Sequence, residues 1–151
     1  MKYALPFVFA GVFASSIMAQ DTASETDETI FLGNGVEDLS QFVWTKRPII
    51  VFAESPNDPN FAQQMQYLEV RQDELAVRDV VVITDTDPSN LSPLRRQLRP
   101  RSFMLVLIGK DGGVKLRKPF PWDVREISRS IDKMPLRQRE IRDRNSRDRS
   151  G

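Results

Sequence analysis

The chain has 151 residues, with 22 lysines and arginines against 21 acidic residues, and it contains neither cysteine nor histidine. Those two absences exclude disulfides, thiol nucleophiles, Ser/His/Asp triads, Cys/His zinc sites, c-type haem attachment and iron–sulfur ligation together. Near-neutral charge gives no electrostatic case for nucleic acid, while acid–base work by Asp, Glu, Lys or Tyr, or a carboxylate cage for a hard metal, stays open.

Residues 1–19 read as an export signal: Lys2, an apolar run from Tyr3 to Ile17, then cleavage after Ala19. The alternative is an uncleaved membrane anchor, but Pro6 and Gly11 interrupt a run already shorter than a spanning helix needs. A periplasmic or secreted location follows. Membrane contact is then expected only through an uncleaved signal or through the basic tail.

Residues 20–35 are an acidic lead, expected to be disordered, with Asp21, Glu25, Asp27 and Glu28 and a closing Gly33-Asn34-Gly35 turn. Val36, Leu39 and Phe42 recur at three-residue spacing, which suits one or two helical turns packed on the domain, and Trp44 is expected in the core. Ile49 to Ala53 is a continuous apolar run, the mark of a strand buried on both faces. Asp58-Pro59 starts a helix, with a capping carboxylate and proline in the first turn. Phe61, Met65, Leu68, Gln72 and Leu75 form its stripe, carrying the helix to about Val77.

Val80 to Thr84 is a second buried strand, so strand, helix and strand make a βαβ unit. Ser92-Pro93 caps a short helix bearing Leu94 and Leu98 among Arg95, Arg96 and Arg99. With Arg101 these arginines form a basic cluster expected to be a solvated helix face, the alternative being anion binding. Phe103 to Ile108 is a third strand, and Lys110-Asp111-Gly112-Gly113 turns it into an antiparallel partner over Val114 to Arg117. Phe120 and Trp122 precede a last helix with Val124, Ile127 and Ile131 on one face. They fit a staple or core contact, or a partner-binding patch if exposed together. Residues 136–151 are a charged tail, a frayed helix or disordered, because no apolar face continues past Ile141.

The order β-α-β-α-β-β-α over residues 36–135 implies an α/β thioredoxin-like domain: a four-stranded mixed sheet with helices on both faces. Several stretches also carry a family resemblance: Asp38-Leu39-Ser40, Arg47 to Ala53, Ile108 to Arg117 and Ile131-Asp132-Lys133-Met134-Pro135. Together they resemble an uncharacterised bacterial exported family known as a domain of unknown function. That family is similar to the thioredoxin-like domains of sushi-repeat-containing extracellular matrix proteins. The resemblance implies a thioredoxin-like fold and an exported setting, and it supplies no activity. A weaker likeness is to peroxiredoxins, where an arginine precedes the third strand, as Arg101 does before Phe103 here. Without a cysteine that arginine has no thiolate to stabilise.

Loops after the two parallel strands belong at one edge of the sheet, where such folds place ligands. They supply the candidate ligand edge: Glu54, Ser55, Asn57, Asp58, Asp85 and Asp87, with Arg101 nearby. One reading is an oxygen cage for a hard metal; the other is turn and capping chemistry, which the same residue types serve. No catalytic residue, metal or cofactor is assigned. The expected role is a non-redox binding or interaction module for an unknown protein or extracytoplasmic ligand. The alternatives are a carboxylate- or hard-metal-dependent enzyme at these loops and a degenerate peroxiredoxin-like scaffold.

Overall fold

Strand β2 (Arg47–Phe52) is buried at every position, and the alternation of its side chains between two cores explains why it is apolar after Arg47. Ile49, Val51 and Ala53 enter one core, while Ile50 and Phe52 enter the other. This computed structural model describes residues 29–151; the predicted signal and the acidic stretch over residues 20–28 lie outside the described residues.

Around β2 the elements are β1 (Phe31–Gly33), a 3-10 turn (Ser40–Phe42), α1 (Pro59–Val70), α2 (Gln72–Ala76) and β3 (Val80–Asp85). They continue with α3 (Pro93–Leu98), β4 (Met104–Ile108), β5 (Val114–Lys118), α4 (Val124–Asp132) and α5 (Pro135–Ser150). The sheet order is β1-β3-β2-β4-β5: β1, β3 and β2 run parallel, β4 runs antiparallel to β2, and β5 runs antiparallel to β4. Leu68, Leu75, Val124, Ile127 and Ile131 cover one face, bringing α1, α2 and α4 onto it. Leu39, Leu94 and Leu98 cover the other, from the 3-10 turn and α3. Helices therefore flank both faces of a mixed sheet, as the element order implies.

Among the described residues the sheet has five strands, where four are expected. The extra strand is β1, in the stretch read as the end of a disordered lead. Ile30 is buried and its carbonyl accepts from Val82 N at 2.7 Å. Three residues are too short to show a strand period, so only the pairing reveals them.

The long first helix breaks at Arg71 (φ −125°, ψ 33°) into α1 and α2. Gln72 stays at the surface, whereas Gln64 is the buried amide. Its Nε2 donates to Trp122 O at 3.0 Å and its Oε1 accepts from Trp122 N at 2.7 Å. A buried amide needs such partners, and Gln64, not Gln72, has them among the described residues. Trp122 packs on the first core with Lys118 Nζ 4.7 Å from its ring centroid, while Phe120 is exposed, so the two make no joint patch.

The tail is also more ordered than its composition suggests. Residues 135–150 are helical, and Arg137 is only 5% exposed. Ion pairs rather than an apolar stripe dock this helix, which is why hydrophobic periodicity misses it.

Candidate functional site

At the carboxyl ends of β2 and β3, four of the side chains expected to converge, Ser55, Asp58, Asp85 and Asp87, are already bonded locally. Asp58 caps α1, accepting from Asn60 N at 2.8 Å. Ser55 Oγ accepts from Asn57 N at 3.0 Å, closing the turn on itself. Asp87 accepts from Ser89 N and Oγ, and the Ser89 hydroxyl bond lowers its carboxyl below the usual range. Asp85 accepts from Arg95 Nε at 2.8 Å and from Ser92 Oγ at 2.6 Å. Among the described residues, no three acidic side chains cluster in a way that could hold a metal ion. Glu54 and Arg101 line a common groove; Ser55, Asn57 and Asp58 do not reach it.

Arg95 fills the crevice itself. It is 8% exposed, lies 5.4 Å from the Phe52 ring centroid, and donates from Nη2 to Ala53 O at 2.9 Å and Asp85 O at 3.0 Å. A guanidinium thus ties the ends of the two parallel strands together, and Asp85 neutralises it. Sequence spacing places Arg95 on a solvated helix face; α3 instead turns it inward, beside the buried Leu94 and Leu98.

Two clefts flank this plug. One, of about 530 Å³, is polar and includes Asp85, Asp87, Asn34, Glu37 and Asn90. The other, of about 580 Å³, is lined by Glu54, Arg95, Arg96, Arg99 and Arg101 with Pro88, Leu91 and Pro100.

The opposite end of the sheet carries what sequence reasoning misses. Trp44 is 68% exposed rather than buried, and its backbone is left-handed, with φ at +67°. Such a conformation is costly for a bulky residue. It is pinned by Trp44 N donating to Lys110 O at 2.6 Å, which joins the start of β2 to the β4–β5 turn. The indole borders a notch of about 340 Å³ with Met134, Pro135 and Leu136 on its apolar side and Lys110, Lys115 and Arg139 around it.

Beneath the notch lies an ionic network. Arg47, 1% exposed, donates to Arg78 O at 2.8 Å and to Glu140 Oε1 at 3.0 Å. Lys110 Nζ bonds both Asp79, at 2.7 Å, and Glu140, at 2.8 Å. Arg78 and Arg137 reach Asp132, and Arg137 also reaches Glu140. Burial pushes the Glu140 carboxyl up, but the bonds and charges of Lys110 and Arg47 outweigh it and hold it down at about 2. Arg47 Nε is buried and without a partner among the described residues. The signal available in sequence was the basic residue just ahead of the β2 apolar run, which reads as an ordinary strand flank.

Comparisons with known proteins agree with this architecture. Residues 38–140 match the family described as "Domain of unknown function (DUF4174)". The reduced 2-Cys peroxiredoxin of Plasmodium vivax superposes with a TM-score of 0.54 at 16% identity, covering 67% of this chain and 84% of its own. Plasmodium yoelii Prx1a, modified at its N-terminus, superposes with a TM-score of 0.50 at 16% identity, covering 66% of this chain and 79% of its own. At such identities the likeness concerns the fold alone, which is thioredoxin-like. With more than half of its length matched, the chain belongs to the DUF4174 family of unknown function.

Proposed function

We propose that this chain is an exported, non-redox thioredoxin-like module that binds a protein partner at the Trp44 notch. The observation that carries the reading is Trp44 itself: a large aromatic, mostly exposed, held in a strained backbone conformation. Strain and exposure of this kind persist where surrounding structure enforces them, and exposed aromatics are the anchors of interfaces. With no cysteine in the chain, a thiol reaction has no nucleophile. The notch combines an apolar floor with four cations. Arg47, Lys110 and Lys115 are paired with carboxylates and Arg139 forms no ion pair among the described residues, so Arg139 can meet a carboxylate on a segment that seats an apolar side chain. The export-signal reading of residues 1–19 and the resemblance to matrix-protein domains support a role outside the cytoplasm.

The test is photocrosslinking in the native compartment, with benzoylphenylalanine in place of Trp44 and, as control, in place of Val70, which is 76% exposed elsewhere. A reproducible partner captured from position 44 and absent from position 70 is expected. Equal capture at both positions, or none at either, would overturn the reading.

A further inference from the structure

The geometry points to a second site, independent of the Trp44 notch: the arginine groove beside α3 binds a small, multiply charged oxyanion such as a phosphate or sulfate group. Four guanidinium groups and one carboxylate, Glu54, line this groove. Among the described residues, only Arg95 of these four is neutralised, by Asp85. Arg96, Arg99 and Arg101 are exposed and form no ion pair among the described residues. Other arginines on β5, α4 and α5 also form no ion pair among the described residues; what sets these three apart is that they share one groove.

Two further observations separate this groove from an ordinary solvated surface. Arg95 is more than nine-tenths buried and its Nε and Nη2 are bonded, yet its Nη1 donates to no acceptor among the described residues while the side chain forms part of the groove wall. Arg99 is the left-handed C-cap of α3 (φ 50°, ψ 57°), a place where glycine is the usual residue. Pro100 follows and restrains the chain before Arg101. The α3 C-terminus favours cations at Arg95 and Arg96 through its dipole, but Arg101 lies beyond that last turn. Bringing three unpaired guanidinium groups together costs mutual repulsion, which a bound anion removes. Arginine forks match phosphate and sulfate oxygens, and a 580 Å³ groove has room for more than the bare ion.

The experiment is a titration at fixed ionic strength, followed by amide and arginine Nε chemical shifts, with inorganic pyrophosphate, glucose 6-phosphate and phosphatidylglycerol vesicles as probes. Saturable shifts at Arg96, Arg99 and Arg101 are expected, weakened about fivefold or more in Arg96→Gln and Arg101→Gln. Arg99→Gly is the decisive variant. It keeps the left-handed cap while deleting the charge, so binding should fall with the melting temperature unchanged or raised. Arg125→Gln, on exposed α4 surface, serves as the control for general electrostatics. Response to the soluble phosphates identifies a free or sugar-linked ligand; response to vesicles alone, lost in Arg99→Gly, identifies a lipid headgroup. The inference is overturned if none of the probes saturates, or if Arg125→Gln weakens binding as much as Arg99→Gly.

Discussion

Arg47 and Glu140 meet at 3.0 Å across 93 positions of sequence, joining the first residue of the central strand to the C-terminal helix. Arg47 is almost fully enclosed, so its charge is tolerable only with that carboxylate in place. Glu140→Ala should cost about 3 kcal/mol of unfolding free energy, read by urea denaturation. Limited proteolysis of the same variant should cut within residues 141–150 earlier than in the parent, because Glu140 also anchors Lys110 and Arg137.

The same carboxylate predicts acid behaviour. Glu140 titrates at about 2 in the folded protein, against an ordinary value of 4.5. The folded state therefore holds its proton less tightly than the unfolded chain. Its contribution to stability is full above about pH 4.5 and is lost as pH falls toward 2. Denaturation midpoints measured from pH 6 to pH 2 should decline across that window, and Glu140→Gln should flatten the decline. The remaining slope belongs partly to Asp132, lowered first by its bond from Arg78.

At the other end, Asp85→Ala should destabilise the domain by about 3–5 kcal/mol, because it leaves the Arg95 guanidinium enclosed without a counter-charge. The double variant Asp85→Leu with Arg95→Met should recover most of that loss, since it removes both charges. Thermal denaturation of the two proteins side by side checks the order. Equal destabilisation would show that the carbonyl bonds of Arg95, rather than its charge pair, hold the strand ends.

Trp44→Gly should raise stability by about 1 kcal/mol by relieving the left-handed backbone, provided the new residue keeps the 2.6 Å bond to Lys110 O. Differential scanning calorimetry should register an increase of a few degrees. A gain in stability from deleting a tryptophan marks a residue retained for something other than folding.

Gln64→Leu should cost about 2 kcal/mol, since it strips both partners from the Trp122 backbone. Tryptophan emission, measured in a Trp44→Phe background, should shift to the red as Trp122 loosens.

The parts of the fold visible in sequence are those governed by side-chain periodicity. The run from Ile49 to Ala53 and the run from Val80 to Thr84 announce buried strands, Asp58-Pro59 announces a helix start, and Gly112 takes the positive φ of its turn. The parts that were not visible depend on pairing across distance. Strand β1 exists because Ile30 and Phe31 meet β3, and α5 docks because Glu140 meets Arg47 and Lys110. The candidate ligand edge shows the same divide. Sequence spacing brings Glu54 and Arg101 into one groove. It cannot show that Arg95 turns inward and consumes Asp85, because an arginine on a short helix reads as solvated. Trp44 misleads in the opposite direction: composition argues for burial, and one backbone dihedral puts it outside.

The ends of the sheet order also bear on how copies of the chain meet. Among the described residues, β1 offers an unpaired edge only three residues long, and β5 offers one that carries Lys115, Arg117 and Lys118 within five positions. A second molecule adding its own β5 alongside would set cation against cation, and one adding at β1 would gain few bonds. The mixed sheet is thus guarded against edge-on self-assembly by charge on one side and brevity on the other, which favours solubility in a protein with near-neutral net charge.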